Sequence, residues 1–340
     1  MKKEEELKLK RKLRKKMAKT QNRTKYKYKS QVKKSAMQQK ELGGYKFGVE
    51  HALDLYASSF VNMPAEYIYD KERLDQFKKV IENCHVYIIG YQPRIDFTGA
   101  KQVGDTMVLD FLVANKERQL KIGPMPEDVK FVLEDGLHYF LKPNGERSWF
   151  NDNDIAKMLN SQYSDVQFEV KYIGQAYGKN GSRNALDRLT KHETLQKISL
   201  KGVPEGYILS LLLLEIEPSN RLITAFTPNA QITGGESDRI KAGLDKLSGT
   251  SEAEQISLFE AAMIKYFSPE YNKEFKNSFP STNLKILQDC YDKDISAVIA
   301  QICIDELPFK LFSQSVEPKQ YHISKHDLQK DSERKVFFGF

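Results

Sequence analysis

From Tyr45 onward the chain is written in short apolar runs separated by polar or Pro/Gly punctuation. The stretch VEHALDLYASSF (49–60) spaces its apolar residues at helical intervals and predicts a helix. DKERLDQFKKVIEN (70–83) predicts a second helix with Asp70 as its N-cap. CHVYIIGYQ (84–92), TMVLDFLVAN (106–115) and RQLKIG (118–123) are strand-sized apolar or alternating runs. They predict a small α+β unit over residues 45–126, closed near Pro124 and Pro126. Further strands are expected at 129–135 and 137–143 and a short Asp- or Asn-capped helix at 152–162. VQFEVKYIGQA (166–176) then alternates Val166, Phe168, Val170 and Tyr172 on one face. A Gly-rich turn and a Ser182 cap lead into a helix from about Arg183 to Ser199. GYILSLLLLEIE (206–217) is apolar enough for a central strand. SEAEQISLFEAAMIKYF (251–267) is a helix stopped by Ser268-Pro269. A C-terminal extension, 281–340, adds a helix-like segment at 283–294 and strands at 296–304 and 309–316. The fold class this implies is α+β, and no internal repeat is visible.

Charge changes the picture at the N-terminus. The chain of 340 residues carries a net charge of +7. Residues 1–40 hold 17 Lys and Arg against 3 Glu, or +14, leaving 36 basic and 43 acidic residues, or −7, for the rest. Residues 1–44 therefore read as a basic arm, a lone helix or disordered, suited to a polyanion through counterion release or to an acidic protein partner. No run of about 18 apolar residues exists, so no membrane span is expected. The opening MKKEEELKLKRKLRKK has no apolar signal core, and Cys84, Cys290 and Cys303 are widely spaced without a CxxC pair. Both features fit a reducing, cytoplasmic setting.

Two stretches carry candidate chemistry. In KYIGQAYGKNGSRNALDRLTKH (171–192), Tyr172 ends a strand, glycines turn the chain, and Arg188 and His192 stand at i and i+4 of the following helix. A guanidinium near a phenol suits a phosphodiester, whose non-bridging oxygens it can hold and whose developing charge it can stabilise. His192 could pair with Tyr172 or a phosphate, or be structural. In SLFEAAMIKYFSPEYNKEF (257–275), Glu260 sits among apolar neighbours. A carboxylate there is costly to bury unless it is paired or binds a cation. A single carboxylate completed by phosphate oxygens and water can hold Mg²⁺. The plainer readings are a buried Tyr, a solvated Arg, and a Glu paired with Lys197 or another base.

Taken in order, these elements resemble the GIY-YIG nuclease superfamily. Tyr172-Ile173-Gly174 matches the YIG half of its signature, Arg188 in ALDRLTKH its arginine helix, and Glu260 with Pro269 and Asn272 its metal-binding element. The resemblance covers about 136–279, under half the chain. It implies a nuclease domain at 127–280 with a small antiparallel sheet flanked by helices. It further implies a tyrosine in nucleophile activation, an arginine on the scissile phosphate and a glutamate on one divalent metal, Mg²⁺ with Mn²⁺ able to substitute. Asn272 and Lys179 are candidate substrate-positioning residues. The family's GIY normally lies about ten residues before YIG, but that window reads SQYSDVQFEV. Tyr139, on an expected strand, is the favoured substitute, and Tyr163 is the nearer one in sequence.

The implied function is a metal-dependent DNA endonuclease, with RNA as an alternative substrate, in restriction, anti-phage defence or repair. The alternative is a catalytically inactive nucleic-acid-binding or complex-forming protein on the same scaffold, for which the absent GIY argues. A partner protein or a homo-oligomer is compatible with either.

Overall fold

The computed structural model describes residues 45–126, 128–134, 137–178, 184–217 and 221–337. The basic arm, Lys179 and the Ser182 cap lie outside the described residues. The strands are β1 (Val49–Pro64), β2 (Val86–Pro93), β3 (Ile95–Val103), β4 (Thr106–Val113), β5 (Lys116–Ile122), β6 (Lys130–Glu134), β7 (Leu137–Leu141), β8 (Arg147–Ser148), β9 (Gln167–Gln175), β10 (Tyr207–Ile216), β11 (Arg221–Phe226), β12 (Ala297–Cys303), β13 (Lys310–Ser313), β14 (Val316–Lys319) and β15 (Tyr321–Asp327). The helices are α1 (Lys71–Asp75), α2 (Lys78–Ile81), α3 (Asp152–Tyr163), α4 (Ala185–Leu189), α5 (Glu193–Lys201), α6 (Glu236–Gly249), α7 (Glu252–Phe267) and α8 (Gln288–Asp292).

The architecture is α+β, but its central sheet is large. It has nine strands in the order β14-β13-β9-β2-β10-β1-β12-β15, with β11 also paired to β1. β1–β12 and β9–β13 are parallel pairs and the rest are antiparallel. The division at 126 and 280 does not describe this sheet. β1 and β2 come from before residue 126, β9 and β10 from the middle, and β12 to β15 from after 280. The composition breaks at Pro124 and Pro126 mark a connection between two small satellite sheets, β3-β4-β5 and β6-β7-β8. With α3, both satellites are inserted between the adjacent strands β2 and β9.

The strand β1 replaces the helix expected at 49–60. Residues 49–55 are all buried, because both edges of the strand are paired and both faces are covered. Two-sided burial erases the period of two that would have announced a strand. Its buried polar residues are answered by partners. Glu50, fully buried, accepts from Arg239 at 2.7 Å, from Arg334 at 3.0 Å and from Ser296. β10 shows the same two-sided burial: Leu212 and Leu214 face one core, and Leu211 and Leu213 face the other. The first core is closed by α7, through Leu258, Phe259, Ala261, Ala262 and Phe267. The second holds Tyr87, Ile89 and Tyr91 of β2 against Ala185, Leu189, Leu195 and Ile198 of α4 and α5.

Two expected helices are broken. Asp70 does cap α1, accepting from Arg73 N–H at 3.2 Å, but the chain breaks before α2. The helix expected over 183–199 is two helices. Asn184 caps α4 in a capping box with Asp187, and His192 caps α5.

Candidate functional site

A one-residue bulge decides which way Tyr172 points. Ile89 pairs with Tyr172 but Gly90 pairs with Val170, so Lys171 is the extra residue on β9. Phe168, Val170 and Ile173 stay in the α7-side core, and Tyr172 moves to the α4/α5 side. This corrects the single face expected for Val166, Phe168, Val170 and Tyr172. Lys171 is buried in the process and neutralised by Glu169 at 2.8 Å and Glu270 at 3.1 Å.

The bulge also lies where β13, paired only with residues 167–169, stops covering the outer edge of β9. The turn after α7 takes over. α7 ends on Ser268 in a left-handed conformation (φ 47°), and Pro269 prevents the helix from continuing. Tyr271 N–H then donates to Lys171 O at 3.1 Å. Asn272 accepts from Ile173 N–H at 2.9 Å and donates to Ile173 O at 2.8 Å. Its amide thus acts as a short substitute strand. Both ends are committed to backbone, so the expected substrate-positioning role is replaced by an architectural one.

Beyond that edge opens a cleft of about 590 Å³, lined by Tyr87, Tyr172, Gln175, Arg188, Lys197 and Glu260, with Asn272, Lys273 and Glu274 on the turn side. Tyr172, Arg188 and Glu260, separated by 88 positions of sequence between first and last, meet in it. Tyr172 comes from β9, Arg188 from α4 with Ala185 and Leu189 buried behind it, and Glu260 from α7 on the other side of the sheet. The free end of β9 is where helices from opposite faces can reach one another.

The tyrosine that accompanies Tyr172 is Tyr87 of β2. Its residue pairs with Gly174, and the two phenol rings are 6.3 Å apart and near parallel. Gly174 is what admits it: a Cβ there would lie 2.6 Å from the Tyr87 hydroxyl and 2.8 Å from the Tyr172 ring. Tyr139 is elsewhere. It lies on β7 of a satellite sheet, buried, donating to Glu134 at 2.7 Å and stacked under Arg147. Tyr163 ends α3, donates to Gln119 O at 2.8 Å and carries Arg118 over its ring. Neither lines the cleft. The signal for Tyr87 was present in HVYIIG (85–90), a tyrosine in an apolar strand. It stood about eighty residues upstream because the satellites interrupt the hairpin.

His192 is not on a shared helix face with Arg188. α4 ends at Leu189, and His192 Nδ1 accepts from Leu195 N–H at 3.1 Å as the cap of α5. It is buried against the rings of Tyr87 and Tyr172, at 5.4 and 5.1 Å. Burial, with the Arg188 charge nearby, lowers its pKa to about 4. It is therefore a neutral strut behind the phenols and stands outside the cleft lining.

Electrostatics divide the cleft. Burial raises Glu260 to about 8, with the Glu274 charge adding to the effect and hydrogen-bond donors of Gln175 opposing it. Among the described residues no lysine or arginine forms an ion pair with Glu260, and Arg188 forms none with a carboxylate. A buried carboxylate without a counter-charge, facing an open cleft, fits a hard cation. Among the described residues no cluster of three or more His, Cys, Asp or Glu ligands occurs, so such a cation would take the rest of its shell from substrate oxygens and water. Burial raises Tyr172, and the Glu260 charge raises it further, while Arg188 and a hydrogen bond from Tyr87 pull it down. Tyr87 is raised by burial too, with Arg188 opposing.

Comparison with protein families, with curated proteins and with solved structures finds no match to this chain. Among the described residues no helix is long and apolar enough to cross a membrane.

Proposed function

We propose that the protein is a divalent-metal-dependent nuclease that hydrolyses phosphodiester bonds of DNA, with a GIY-YIG-like site whose first tyrosine is Tyr87. The observation that carries this reading is the meeting of Tyr87, Tyr172, Arg188 and Glu260 in one cleft. The inactive-scaffold reading drew on the absent GIY; Tyr87, in the cleft beside Tyr172, supports an active site instead. The GIY-like and YIG-like strands would be β2 and β9, adjacent and antiparallel, within a sheet extended well beyond that family's small one.

Residue chemistry gives each group a task. Arg188, unpaired with carboxylate among the described residues, holds non-bridging phosphate oxygens and offsets charge that develops on them. Glu260 would hold the divalent ion, Mg²⁺ or Mn²⁺, which supplies Lewis-acid stabilisation of that charge when bound. Tyr172 would act as the phenolate: it first gives its own proton to solvent and then takes the proton of the attacking water. Burial opposes that ionisation, and the Arg188 charge with the Tyr87 hydroxyl lowers its cost. Lys197 and Lys273 at the cleft offer cations to the flanking backbone. The basic arm would add salt-sensitive affinity without sequence preference.

The test is nicking of supercoiled plasmid by the purified chain with and without Mg²⁺. Glu260→Gln keeps the shape and removes the charge. Metal-dependent nicking should fall by about a hundredfold or more, with the melting temperature preserved or raised, since the cost of holding a buried carboxyl in its protonated form is gone. Undiminished nicking by that variant refutes the assignment.

A further inference from the structure

We propose that Gln175, braced by Ser257, is a positioning residue that holds the Glu260 carboxylate for cation binding; this rests on the nuclease reading above. Along the exposed part of β9's outer edge, residues 171 and 173 are met by Tyr271 and Asn272. Gln175 is the next residue of that edge, and α7 is what meets it. Ser257 Oγ donates to Gln175 Oε1 at 3.3 Å. Ser257 stands three residues before Glu260 on α7, so the two share a helix face.

The bond from Ser257 assigns the amide. With the oxygen facing Ser257, the amide nitrogen is the donor of the side-chain hydrogen bond from Gln175 to Glu260, which lines the same cleft. The Gln175 backbone N–H is a second donor to that carboxylate. A carboxylate has about four lone-pair positions. Two donors on the strand side leave the others for a cation in the cleft. An amide does this without cancelling the carboxylate's charge, as a lysine at the same position would. Ligand orientation by such outer partners typically governs metal affinity by about 10–100-fold.

The experiment is a Mg²⁺ and Mn²⁺ titration of the full chain, read by melting temperature without DNA and by plasmid nicking. Gln175→Met keeps volume and loses the side-chain donor, and Ser257→Ala removes only the brace. Gln175→Met should shift the metal midpoint up by about tenfold or more, and Ser257→Ala by a smaller factor. KM for DNA should stay unchanged, and saturating Mn²⁺ should restore nicking. If Gln175→Met does not fold, Ser257→Ala decides. A wild-type protein with metal-dependent nicking and variants with its metal midpoint would overturn the positioning role alone. Variants that lose nicking equally at every metal concentration, with the metal-induced rise in melting temperature intact, would do the same. A wild-type protein with neither response removes the nuclease reading and this inference together.

Discussion

Asn272 offers the sharpest separation of architecture from chemistry. It is buried, and its amide bonds both polar groups of Ile173, itself fully buried. Asn272→Ala removes both bonds and leaves a buried N–H and C=O without partners, each worth about 1–3 kcal/mol when orphaned. A loss of about 3 kcal/mol follows, allowing partial access of water to the cleft side. Asn272→Asp separates the two halves. It still accepts from Ile173 N–H, but it sets a carboxylate oxygen against Ile173 O, where the amide nitrogen now lies at 2.8 Å. Its folded-state pKa should therefore rise above the ordinary carboxylate value of about 4. The unfolded chain then ionises first as pH rises, so the penalty grows from pH 4 to pH 7 and shrinks on acidification. Urea unfolding followed by circular dichroism at pH 4.5 and 7, referenced to wild type at each pH, measures both. If Asn272→Ala unfolds within about 0.5 kcal/mol of wild type yet abolishes nicking, the side chain acts on substrate and the strand-clamp argument is wrong.

Three further outcomes follow from the same geometry. Tyr87→Phe should cut nicking at least about tenfold, whereas Tyr139→Phe, which loses its bond to Glu134 away from the cleft, should leave the rate within twofold; parallel plasmid assays compare them. Gly174→Ala places a methyl group 2.6 Å from the Tyr87 hydroxyl, and should cost about 1–3 kcal/mol by overpacking while displacing the phenols, as urea unfolding and nicking would jointly report. His192, lowered from 6.5 to about 4 by burial, is neutral when folded, while the unfolded chain takes up a proton below about 6.5. Stability from this residue is thus full above that pH and falls as pH drops toward 4, by about 2 kcal/mol between pH 7 and pH 5. His192→Asn keeps an N-cap without a titrating ring, so the pH 7 to pH 5 difference in unfolding free energy should shrink by that amount.

Local pattern was enough for the elements that are unbroken or alternating apolar runs of strand length or whose ends are chemically marked. The Asp70 cap, α7 with its stop at Ser268-Pro269, and the strands β2, β4, β9, β10 and β12 were all legible in this way. Three members of the candidate site, Tyr172, Arg188 and Glu260, were also legible, because their residue types are conspicuous beside a glycine turn or inside an apolar helix. Tertiary structure decided the rest. β1 hid as a helix because its two-sided burial includes Glu50, His51 and Asp54, whose partners lie far off in sequence, and the supposed separate units share one sheet because strand pairing ignores distance along the chain. Tyr87 displaced Tyr139 because an insertion in a hairpin leaves its two strands adjacent while moving their residues far apart in sequence. Lys171, one extra residue, turned Tyr172 onto the cleft face, and at the uncovered edge of β9 Asn272, expected as a substrate contact, clamps the Ile173 backbone. Register and edge coverage depend on partners that meet only in the folded chain, so periodicity within a segment carries no record of them.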